Sequence, residues 1–191
     1  MDTTETELCM KRNQPLSILK IDFDELYRRH LCRHGQFGLN VLHLISVYGV
    51  YFSVFALVVA LIQLAFPGLS SAASAVAILA LSGPYLCLLL LNIPVPVLLL
   101  TLLSVIVLTI SAVTVTSIPI WAHLLLIVFW HRFQIWSHRY YTEHRDMSEF
   151  ETKYRKGIRL FTLLAVYELP ILLHYLMAGG WRSERAEEFQ F

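Results

Sequence analysis

The feature that most constrains this chain is a missing one: between Asn40 and Arg132 there is no Asp, Glu, Lys or Arg. A soluble domain needs charged side chains on its outward faces, and about ninety consecutive residues here offer none. Hydrophobic residues make up 57% of the 191-residue chain against 15% charged, a balance that points to lipid as the solvent.

A hydrocarbon core about 30 Å thick takes roughly 20 apolar residues of helix to cross. The runs Val41 to Phe66, Ala72 to Leu91 and Val97 to Ser117 each supply that length. Ile120 to Ser137 is a fourth, more polar candidate, and Ile158 to Met177 a fifth. Pro67-Gly68 closes the first run, and "NIPVP" at residues 92 to 96 makes a turn that lets the second and third pair as a hairpin. Ile118-Pro119 punctuates the third, and Gly83-Pro84 predicts a kink of the kind embedded helices tolerate. The expected fold is all-α: a polytopic transmembrane helical bundle with four or five spans. Residues 1–40 form a cytosolic N-terminal segment, residues 41–177 the transmembrane domain with a cytosolic loop at 138–157, and residues 178–191 a polar tail.

No cleaved signal peptide is expected, since the first forty residues are polar and charged where an apolar stretch would start. Cys9, Cys32 and Cys87 stand at no metal or redox spacing and imply no disulfide framework. A net charge of +1 gives a nucleic-acid partner no electrostatic support. Membrane lipids are the expected surroundings, and an oligomer is left open.

Basic residues collect in two places. Lys11, Arg12, Lys20, Arg28, Arg29 and Arg33 precede the first span, and Arg139, Arg145, Lys153, Arg155, Lys156 and Arg159 surround the connection from the fourth to the fifth. Four spans separate them, so both lie on one side, and the positive-inside rule makes it the cytoplasmic one. The membrane is the endoplasmic reticulum in a eukaryote and the inner membrane in a bacterium. A crossing fifth span would carry the two arginines of the tail to the far side, a conflict that a re-entrant segment removes.

This topology gathers histidines. His30, His34 and His43 lie before or at the start of the first span, and His138 and His144 at the end of the fourth, so five of the eight histidines share a face. His131 is two turns inward of His138, roughly 10 Å deeper. In a helical "FDELYRRHLCRHG", begun by Asp24 and ended by Gly35, His30 and His34 stand at i, i+4. His131, Gln134 and His138 form a second stripe. Two stripes of imidazole at an interface are what a metal with several nitrogen ligands requires. A lone histidine near a membrane interface is more often a hydrogen-bonded or headgroup-facing residue than a ligand, and His144 and His123 are read that way; Trp130, Trp136, Tyr140 and Tyr141 look like an interfacial aromatic belt. His123 and His174 are expected near the opposite membrane face. Glu168, an acid within the apolar "AVYELPILLH", reads equally as a helix-packing hydrogen bond and as a polar substrate contact or proton relay.

Two motifs resemble a known family: the small multispanning membrane proteins of fungi and bacteria that include the iron-dependent 2-hydroxy-fatty-acid dioxygenase of the yeast endoplasmic reticulum. The first, "ELYRRHLCRHGQFGLNVLH", supplies Tyr27, His30, His34, Asn40 and His43; the second, "FQIWSH", supplies Phe133, Gln134 and His138. The chain departs from the family pattern in three places. His34 and Asn40 stand farther apart than the family's first-motif pair, so His30 and His34 both qualify as the counterpart. Ser137 stands where a Gly is common. An acid expected one turn after His138 is displaced to Glu143, with Thr142 at i+4.

The resemblance implies Fe(2+), consumption of O2, and removal of one carbon from a 2-hydroxy fatty acid. The implied ligands are His34, His43, His131 and His138, with His30 as a substitute. Asn40 and Gln134 would orient ligand rings, Glu143 would move protons, and Arg132 or Arg139 would hold the carboxylate of a fatty acid or lipid substrate. Membrane hydroxylases and desaturases also use histidine clusters, commonly with close His-x-x-His-His pairs that this chain lacks. A non-enzymatic assembly subunit, its histidines merely satisfying one another, is the third class.

Overall fold

The computed structural model describes residues 19–115, 118–141 and 158–179. Among them the chain is helical: α1 Phe23–Arg33, α2 Phe37–Ala65, α3 Ser71–Leu90, α4 Val95–Thr114, α5 Ile120–Tyr141 and α6 Ile158–Ala178. Three helices, α2, α3 and α4, are long and apolar enough to cross a membrane. Their outward faces carry Val54, Leu61, Val76, Leu81, Leu99, Leu103 and Ile110, all exposed, as helices set in hydrocarbon require.

Local chemistry explains the boundaries. Gly68 takes the left-handed backbone, φ 93°, that the turn after α2 needs and that a side chain would oppose. Ser70 caps α3 by accepting from the Ala73 amide. Pro94 and Pro96 flank the start of α4, where a missing N–H costs nothing. Pro84 is accommodated within α3 and Pro170 within α6. Four buried hydroxyls are satisfied inside their own helices: Ser53, Ser82, Thr101 and Thr109 each donate to the carbonyl four residues back.

α5 packs antiparallel along α2. Gly38 lies against the Tyr141 ring and Gly49 against the Trp130 indole, and a Cβ at either glycine would overlap those rings. Small residues let the two backbones approach closely. Asn92, in the turn between α3 and α4, ties the N-terminal segment down: its Oδ1 accepts from the Ile21 amide at 2.9 Å and its Nδ2 donates to the Leu19 carbonyl at 3.1 Å. Phe23 and Leu26 of α1 then enter a core with Leu89, Ile93, Val97, Leu163, Tyr167 and Ile171.

α6 departs from a simple serpentine. Tyr167, Leu169, Ile171, Leu172 and Tyr175 are all at most 1% exposed, so it is enclosed by protein around most of its circumference. Its contacts run backwards along the neighbouring chain. The Ala165 carbonyl accepts from Tyr51, Glu168 meets His43, and His174 packs edge-on against Tyr27 and Phe23 of α1. A fifth serpentine span would run parallel to α2; α6 crosses it in the opposite sense. The placing of His174 at the far face is thereby corrected, because the reversed helix brings it to the end that carries α1.

Candidate metal centre

The centre is assembled where α1, the link to α2, the first turns of α2 and the last turns of α5 meet. Asn40 organises the link. Its Nδ2 donates to the carbonyls of His34 at 2.6 Å and Gln36 at 2.9 Å, so its Oδ1 is the acceptor for the Nε2–H of His30 at 2.9 Å. His30 is therefore committed through Nε2 and lies stacked on His34, ring centroids 4.2 Å apart. His34 in turn donates from Nδ1 to the His30 carbonyl at 3.3 Å, which leaves its lone pair on Nε2.

His34, His43 and His138 converge. One ligand nitrogen from each lies within 4.8 Å of the others, and their ring centroids are 4.6, 4.9 and 4.7 Å apart. Two nitrogens on one metal at about 2.0–2.2 Å each are separated by at most about 4.4 Å, so slight inward turning of the rings suffices. His43 is 2% exposed, and its Nε2 is a buried nitrogen with no hydrogen-bond partner among the described residues. A buried polar atom left in that condition is costly and asks for an explanation, which a ligand would supply. Three imidazoles can hold a divalent transition metal and leave coordination positions for other molecules.

No family model, curated protein or solved structure matches the chain.

On the other side of His43, its Nδ1 lies 3.2 Å from Glu168 Oε1 of α6, and Gln134 of α5 donates from Nε2 to the same oxygen. This brings together His34, His43, His138, Gln134 and Glu168, with Asn40 and His30 directly behind. It does not bring in His131, which is exposed on α5. At that level Trp130 takes the contact with α2, at Gly49, and turns its neighbour outward. Arg132 and Arg139 are also exposed on α5. Glu143 and His144 lie outside the described residues. His123 is buried near the other end of α5, away from the cluster. Glu168 was visible in sequence as an acid in an apolar helix, but its pairing with His43 was not, because 125 residues and an unforeseen helix direction separate them.

Proposed function

We propose that this chain is a membrane-embedded, Fe(II)-dependent dioxygenase that shortens 2-hydroxy fatty acids by one carbon in lipid breakdown. The observation that carries the reading is the convergence of buried His34 and His43 with half-buried His138 at the end of a bundle whose helices are long and apolar enough to cross a membrane. Imidazole nitrogens suit Fe(II), and the motif resemblance supplies the choice of metal and substrate. Bound Fe(II) would supply the activation of O2.

The chain's own residues do the rest. His34, His43 and His138 hold the ion, and Asn40 fixes the link that carries His34. The exposed apolar faces of the spans let an acyl chain lie in the bilayer, while Arg132 and Arg139, on the exposed side of α5, attract its carboxylate at the surface. Glu143 is assigned proton movement by resemblance alone. With both basic regions cytoplasmic, the centre opens to the cytosol, in the endoplasmic reticulum or a bacterial inner membrane according to source.

O2 uptake by iron-loaded protein in lipid nanodiscs tests the reading. Uptake with 2-hydroxy fatty acids, absent with unsubstituted acids and abolished by His43→Ala, is expected. A response to the unsubstituted acid alone favours a hydroxylase or desaturase. Failure to bind iron favours an assembly subunit, for which the His43, Glu168 and Gln134 contacts would be helix-packing hydrogen bonds.

A further inference from the structure

Glu168 gives no ligand to the cluster, yet the structure sets it against one of the three histidines. An acid inside an apolar helix is expensive to keep and is retained where it has a partner to serve. The partner is His43 Nδ1 at 3.2 Å, in a pair whose side chains are 2% and 18% exposed.

The hydrogen atoms decide what this contact does. Gln134 Nε2 can only donate, and it reaches Glu168 Oε1, so that oxygen is an acceptor. His43 Nδ1 faces the same oxygen and pairs with it as an N–H donor. A neutral imidazole protonated at Nδ1 carries its lone pair on Nε2, a buried nitrogen with no hydrogen-bond partner among the described residues. The competing arrangement is also visible: Gln134 Nε2 lies 3.3 Å from His43 Nδ1, and a donation there would put the hydrogen on Nε2 and close that nitrogen to a metal. The hold of Glu168 on Nδ1 is what separates a ligand from a blocked ring.

We propose that Glu168 is the positioning residue of the centre: it fixes the tautomer and orientation of His43 from α6, so that α6 takes part in metal binding without contributing a ligand. This rests on the reading of the three histidines as a metal centre and adds to it which outer residue sets it. The arrangement matches the general rule that a ligating histidine gives its second N–H to a carboxyl or carbonyl oxygen, whose removal costs roughly 10- to 100-fold in metal affinity.

The test uses the full chain in detergent, with Co(II) as the probe. In metal-free protein, 15N spectra of labelled histidine should show His43 protonated at Nδ1, and Glu168→Ala should abolish that preference. Glu168→Ala should also weaken Co(II) binding by about 10- to 100-fold and shift the Co(II) absorption bands, but produce no further loss in a His43→Ala background. Should Glu168→Ala not fold, Glu168→Gln preserves the volume: the Nδ1–H resonance should move upfield as the acceptor weakens, and Co(II) affinity should fall between the wild type and His43→Ala. An unchanged His43 tautomer, or an equal loss with and without His43, overturns the proposal. Wild-type protein that binds no Co(II) removes the metal centre itself, and the 15N spectra of the metal-free protein still decide whether Glu168 governs His43.

Discussion

At the scale of single residues, two glycines in helices give opposite expectations. Gly49 touches the Trp130 indole, whereas a Cβ at Gly83 would meet open space. Gly49→Ala should therefore cost about 1–3 kcal/mol by overpacking, and Gly83→Ala should be neutral or stabilise by up to about 1 kcal/mol through helix propensity. Thermal unfolding in detergent checks the pair. Asn40→Ala removes two donors and one acceptor from the link at once. A loss of about 1–3 kcal/mol is expected, together with weaker metal binding because His34 is no longer held. The convergence of His34, His43 and His138 was legible in sequence, since uncharged length, span parity and basic clusters put both histidine motifs at one end. The exclusion of His131 was not: it shares a helical stripe with His138, and only the choice of Trp130 to meet Gly49 turns it outward.

At the scale of elements, all five apolar runs became helices with ends close to those expected, α3 and α6 most closely. Apolarity and length are properties of the run itself, so they survive any tertiary arrangement. Direction and surroundings are not, and this is why the sense in which α6 runs and its enclosure by protein were not legible in the run. A helix enclosed by protein and one enclosed by lipid have the same composition. Burial separates them: Leu172→Ala in α6 should cost about 2–5 kcal/mol, while Leu99→Ala on the exposed face of α4 should change unfolding little. The turn at Asn92 is a similar case, since a turn residue could be called from "NIPVP" but not its grip on Leu19 and Ile21. Asn92→Ala should speed hydrogen exchange at the Ile21 amide while leaving the span amides protected.

At the scale of the molecule, the centre joins the α1–α2 link, α2 and α5 through its three histidines and α6 through Glu168. A metal bound there stabilises the folded chain by linkage, about 2.7 kcal/mol when free metal is 100 times its dissociation constant. A chelator should reverse the gain, and acidification should release the ion, because each imidazole must be neutral to ligate. The most direct measurement is metal content. After anaerobic iron loading and removal of excess, wild-type protein should retain about one equivalent of iron, and His34→Ala, His43→Ala and His138→Ala should each lose most of it while His123→Ala does not. Wild-type protein holding less than about 0.1 equivalent, or retention unaffected by all three substitutions, would show that these histidines form no metal centre.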